Sequence, residues 1–126
     1  MKIKRLDHLV ITTNSTEKCI EFYSALGFSP KISENRIELF ADDFKINVHV
    51  LGKELLPHAR NVAPGSADLC FEIHGNLDDI VAEIKGKGIV IELDKSIRTG
   101  TFGKMSSVYL RDPDGNLIEL SQYLYS

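Results

Sequence analysis

SADLCFEIHGNLDDIVAEIKGKG (66–88) decides the architecture. Ala67, Leu69, Phe71 and Ile73 alternate with Ser66, Asp68, Cys70 and Glu72, the period of a strand with one apolar face. Asn76 then precedes Leu77, Ile80, Val81 and Ile84, an apolar stripe at helical spacing, and Gly86 and Gly88 end it. The same order occurs near the N-terminus in LDHLVITTNSTEKCIEFYSALG (6–27). The β-branched apolar run over 3–12 predicts a strand. Asn14, with Glu17 three residues later, resembles a helix start, and Cys19, Ile20, Tyr23 and Leu26 recur at helical spacing before Gly27.

Three strand-like runs follow the first helix, at 28–33, 36–41 and 44–51, with turn chemistry from Asn35 and from Asp42-Asp43. Three follow the second, at 89–93, 105–111 and 116–122, the last two joined by Asp112-Pro113-Asp114-Gly115. The chain therefore reads βαβββ twice. His8 matches Asp68, Gly27 matches Gly88 and His49 matches Glu119. The extra residues of the second copy fall in DKSIRTGTFGK (94–104), read as a longer glycine-containing loop. The expected fold is α+β: two tandem βαβββ modules forming a curved mixed sheet around a cleft, with the helices on the outer face. Residues 1–126 form one domain, with module 1 over 1–51, a Pro- and Gly-containing linker over 52–65 and module 2 over 66–126.

Composition agrees. A chain of 126 residues is about one domain and buries roughly two-thirds of its unfolded surface. Apolar residues at 43% and charged residues at 26% exclude disordered and fibrous classes. A net charge of −3 gives no basic footprint, so nucleic acid is not an expected partner. No apolar run approaches the ~20 residues of a membrane span, so no membrane partner is expected either. The N-terminal MKIKRLDHLVITT lacks a signal-like apolar core, and Cys19 and Cys70 form no CxxC pair. Both point to the reducing cytoplasm.

Alternation also sorts chemistry by face. Phe44, Ile46, Val48 and Val50 belong to the helix-packed side of their strand, leaving Asn47, His49 and Leu51 opposite. Asp68 and Cys70 stand opposite Leu69 and Phe71, while Glu119 and Ser121 stand opposite Ile118 and Leu120. His8, His49, Asp68 and Glu119 thus share the helix-free face, at matching depths in the two copies. Two imidazoles and two carboxylates suit a divalent cation with open coordination positions, Zn, Ni, Mn or Fe. Cys70 either lines this pocket or is an inert thiol, and Asn47 is a candidate for substrate contact. Arg98, Thr99, Gly100 and Gly103 either receive an anionic substrate group or form a plain loop. His58 and His74 are read as solvated, and Tyr109 and Tyr123 as either core or pocket wall.

LDHLVITT, EFYSALGF, SADLCF and SVYLRDPDGNLIELSQY, in the duplicated order, resemble the vicinal oxygen chelate superfamily. That group includes glyoxalase I, extradiol dioxygenases and the fosfomycin- and bleomycin-resistance proteins. KINVHVLGKEL, PGSADLCF and RTG look most like its glyoxalase-domain-containing, virulence-associated subgroup. The resemblance implies metal ligands at His8, His49, Asp68 and Glu119, with Glu119 also serving proton transfer. Bacterial glyoxalase I has a carboxylate where His49 stands and a His where Asp68 stands, so the two types are exchanged here. The implied activity is that of a divalent-metal-dependent lyase or isomerase, acting on a small substrate that chelates the metal through vicinal oxygens. The alternatives are an Fe(II) extradiol-type dioxygenase and a non-enzymatic drug-binding resistance protein. A homodimer is expected, because such modules are completed within one chain or across two.

Overall fold

The computed structural model describes residues 1–34 and 36–125; the expected Asn35 turn lies outside the described residues. The chain divides into two compact units, Met1–Ser66 and Ala67–Ser126. Unit 1 contains β1 (His8–Thr13), α1 (Thr16–Ala25), β2 (Ser29–Ser33), β3 (Arg36–Phe40) and β4 (Lys45–Val50). Unit 2 contains β5 (Asp68–Glu72), α2 (Leu77–Gly86), β6 (Ile91–Gly100), β7 (Gly103–Arg111) and β8 (Leu117–Tyr123). Each unit is a four-stranded mixed sheet, ordered β1-β4-β3-β2 and β5-β8-β7-β6. The first and last strands of each run parallel and the other pairs antiparallel. No described helix is long and apolar enough to cross a membrane.

In unit 1 the register puts Leu39 beside Ile46, and Ile11 beside Val48, on one face, and all four are buried. A T-shaped aromatic chain runs from Tyr23 of α1 through Phe28 to Phe44, which shares the Ile46 side, so α1 covers this face. In unit 2 the amide of Leu77, at the start of α2, donates to Gln122 Oε1 at 2.9 Å. Gln122 shares its side of β8 with Ile118 and Leu120, so α2 lies over those two residues. Ile46 and Ile118 are fully buried, each stabilising its unit by about 1.5–3 kcal/mol.

Three differences from expectation bear on the architecture. β1 starts at His8 rather than residue 3, because its ladder partner β4 starts opposite it at Lys45, and Asp42 and Asp43 lie outside any strand. Ser15 caps α1 in place of Asn14, accepting from the Lys18 amide at 3.3 Å, as short hydroxyl side chains do at this position. Asn76 caps α2 as expected, accepting from Asp78 and Asp79. The third difference is the largest. Residues 94–104 form no loop: β6 and β7 continue as a hairpin that pairs Gly100 with Gly103. Gly103 takes φ +136°, a conformation that favours glycine, so the run's glycines mark a tight turn.

The DPDG segment is structural. Asp112 is buried, with Oδ1 accepting from the amides of Asp114 and Asn116 and Oδ2 from Asn116 Nδ2. Asn116 Oδ1 in turn accepts from the Ala67 amide at 2.9 Å, tying the start of β5 to that of β8.

Candidate active site

Residues paired across a ladder share a face. In unit 1 His8 pairs with Lys45, Val10 with Asn47, and Thr12 with His49, so His8, Asn47 and His49 all stand away from α1. Their spacing is unequal. Asn47 lies two residues past the partner of His8 and His49 lies four past it, about 7 and 13 Å along the strand. His8 is exposed, and its Nδ1 is engaged by Asp7 Oδ2 at 2.8 Å, so Nε2 is the nitrogen left for a ligand. That hydrogen bond holds the Asp7 carboxyl below its usual value. Asn47 and His49 are half-buried. Asn47 Oδ1 and His49 Nδ1 are fully covered, yet neither has a hydrogen-bond partner. Lys45 closes the row with an ion pair to Glu38 Oε2 at 2.7 Å.

Unit 2 places its candidates on the equivalent face. Cys70 pairs with Glu119, Glu119 with Tyr109, and Asp68 with Leu117, so Glu119 stands two residues past the partner of Asp68. A hydrogen-bond chain feeds the Glu119 carboxylate. Ser121 Oγ donates to Glu119 Oε2 at 3.1 Å, so the buried Ser107 hydroxyl, 2.7 Å from Ser121 Oγ, donates to Ser121. Cys70 Sγ lies 3.2 Å from Ser121 Oγ. Burial is the main cause that pushes the Cys70 thiol up; Ser121 opposes it and the Glu119 charge adds to it. Burial and then Glu119 raise the Tyr109 phenol in the same way. Across the same face the Arg98 guanidinium lies 5.2 Å from the Tyr109 ring centroid. Arg98 therefore acts from a strand, where a loop was expected.

The register changes one correspondence. Superposing His8 on Asp68 brings Lys45 onto Leu117, and hence Asn47 onto Glu119 and His49 onto Ser121. The match of His49 with Glu119 is displaced by two residues. A two-residue slip keeps every side chain on its face, so alternation alone does not register it. Sequence reasoning also passed over Ser107 as a functional residue; its alternation with Tyr109 along β7 was the available signal. His58 and His74 fall outside the strands, and His58 Nδ1 is 2.8 Å from the Ala59 carbonyl oxygen.

The donors suit a divalent cation in type. His8 Nε2, the carboxylates of Asp68 and Glu119, and the unpartnered atoms of Asn47 and His49 are hard or borderline ligands. Within the described residues they occur as small sets in each unit, and no group of three or more His, Cys, Asp or Glu forms a ready ligand cluster.

Comparison with known proteins defines the family and the fold. Residues 5–120 match the family model described as the Glyoxalase/Bleomycin resistance protein/Dioxygenase superfamily. The chain belongs to that superfamily. It is 46% identical over 126 residues to virulence protein STM3117 of Salmonella typhimurium, covering 98% of this chain and 88% of that protein. The crystal structure of that protein superposes with a TM-score of 0.96, covering 98% of this chain and 100% of the other. The glyoxalase domain-containing protein RDO1 of Mycosarcoma maydis is 44% identical over 124 residues, 98% of this chain and 70% of its own length. Lactoylglutathione lyase from Agrobacterium tumefaciens shares the fold at 18% identity, with a TM-score of 0.74 and coverage of 96% and 95%.

Proposed function

We propose that the protein is a divalent-metal-dependent lyase or isomerase of glyoxalase I type, acting on a small substrate that offers two vicinal oxygens. The observation that carries this reading is the Glu119 carboxylate, half-buried on the helix-free face and held through Oε2 by Ser121. A carboxylate oriented in this way is suited to accept a proton from a carbon next to a carbonyl and return it to the adjacent carbon. The donors available to the cation are His8, Asn47 and His49 in unit 1 and Asp68 and Glu119 in unit 2. When bound, the cation polarises the substrate carbonyl and makes the neighbouring C–H more acidic. Asp7 would fix the His8 ring through Nδ1, and Cys70 would line the substrate pocket beside Glu119. The working species would be a homodimer, since modules of this type assemble in pairs.

Elemental analysis of the purified protein tests the metal, with about one divalent ion per chain expected. His8→Ala and Glu119→Ala should lose it, and comparing Asn47→Ala with His49→Ala assigns the further donor of unit 1. A hemithioacetal of an α-ketoaldehyde is the first substrate to assay. Its turnover should need no oxygen and should persist with zinc. Glu119→Gln should lower turnover more than metal content. Full metal occupancy in both alanine variants, or oxygen uptake with a catechol in place of isomerisation, would overturn the reading. Tight binding of a flat aromatic drug without turnover would favour sequestration instead.

A further inference from the structure

We propose that Arg98 selects the substrate and that the substrate is a small monoanion bearing a carboxylate. This deepens the glyoxalase-type reading and rests on it only for the reacting end of the molecule. Among the described residues, the other cation on the helix-free face of unit 2 is Arg111, which holds Glu92 with two parallel hydrogen bonds of 3.1 Å. Arg98 pairs with no carboxylate among the described residues and rests on the face of Tyr109.

Its course is informative. The backbone of Arg98 pairs with Met105, four residues from Tyr109 on β7, so the side chain runs back along the sheet to reach the ring. A guanidinium stacks readily on an aromatic face, an arrangement that keeps its N–H edge available to a ligand. Tyr109 also pairs with Glu119 across the ladder, so one residue stands next to both the Arg98 cation and the proposed base.

Charge narrows the class. Asp68, Glu72 and Glu119 share this face, and Arg111 is neutralised by Glu92. With Asp68 and Glu119 engaged by the divalent cation, a phosphate dianion would still meet Glu72, and among the described residues of this face Arg98 is the one cation left unpaired to balance it. A carboxylate carries a single charge and matches the two-pronged guanidinium edge.

The test uses two probes on zinc-loaded protein, followed by titration calorimetry. Succinic acid monohydroxamate presents two vicinal oxygens and a distant carboxylate; its tail amide replaces that carboxylate with a neutral group. The wild type should bind the carboxylate probe about tenfold more tightly. Arg98→Ala should shrink the preference to within about twofold, and Arg98→Lys should restore part of it. Arg98 is exposed, so both variants should fold. Equal affinity of the wild type for the two probes, or a preference that survives Arg98→Ala, overturns the proposal.

A second measurement separates it from the metal reading. If neither hydroxamate binds, that reading falls, and glutarate and glutaramide are then titrated into metal-free protein while the Arg98 Nε–H resonance is followed by NMR. A shift with glutarate alone sustains the carboxylate subsite, and no shift with either overturns it.

Discussion

Asn47 and Glu119 occupy the same register position in two copies of one fold, yet their surroundings are opposite. In unit 2 the position holds a carboxylate fed by Ser121, which is fed in turn by Ser107. In unit 1 it holds a neutral amide whose oxygen is buried without a partner, two residues from an imidazole in the same condition. The buried face hardly differs: Ile46 and Ile118 are equivalent, and both are fully covered. Duplication has kept the packing and let the chemistry diverge, because packing constrains one side of a strand and leaves the other to change. Unpartnered buried polar atoms are rare in folded proteins, and each helix-free face has some: Asn47 Oδ1 and His49 Nδ1 in unit 1, and Ser96 Oγ, beside Ser107, in unit 2.

The largest effects should fall where the two units agree. Ile46→Ala and Ile118→Ala each remove a fully buried side chain and should each cost about 2–5 kcal/mol in urea or thermal unfolding. A cost below about 1 kcal/mol at either site would break the equivalence of the two cores.

Smaller effects should separate the helix-free faces. Ser121→Ala removes the donor to Glu119 and strands the buried Ser107 hydroxyl, so about 1–3 kcal/mol should be lost. Its register counterpart His49 has no Nδ1 partner to lose, so His49→Ala should stay within about 1 kcal/mol of wild type. Equal costs at the two positions would show that the contrast between the faces has no energetic content.

Most of this fold is legible in the residues. The alternation in SADLCFEI and the stripe of Leu77, Ile80 and Ile84 define a strand and a helix locally, and their recurrence in 6–27 defines the repeat. Face assignment is equally legible, since burial of Ile118 and Leu120 forces Glu119 to the other side. Register is not, because sliding a strand by two residues leaves the pattern of faces unchanged. Alternation therefore allows Glu119 to match His49, whereas the ladder makes Asn47 its counterpart. Residues 94–104 read as a loop for a related reason. Lys, Arg, Thr and Gly resemble a loop locally, and only long-range pairing with β7 makes them a strand.

The smallest effect concerns the start of the helix-free row. Lys45 and Leu117 are register equivalents, one in an ion pair with Glu38 and the other apolar. Hydrogen bonding to Lys45 is the main cause that holds the Glu38 carboxyl below its usual value. A depressed carboxyl stabilises the fold at pH values above its unfolded value, about 4.3, and loses that contribution as pH falls through its folded value. Lys45→Leu makes unit 1 resemble unit 2 and removes this linkage. Its thermal midpoint should therefore fall less steeply than that of the wild type as pH is lowered from 6 toward ~3.5, whatever the offset at neutral pH. Glu38→Gln should flatten the curve to the same extent, and the double variant should add nothing, because both changes remove one interaction. Parallel curves for wild type and Lys45→Leu would show that the 2.7 Å contact contributes nothing to folding and that the two rows differ only in composition.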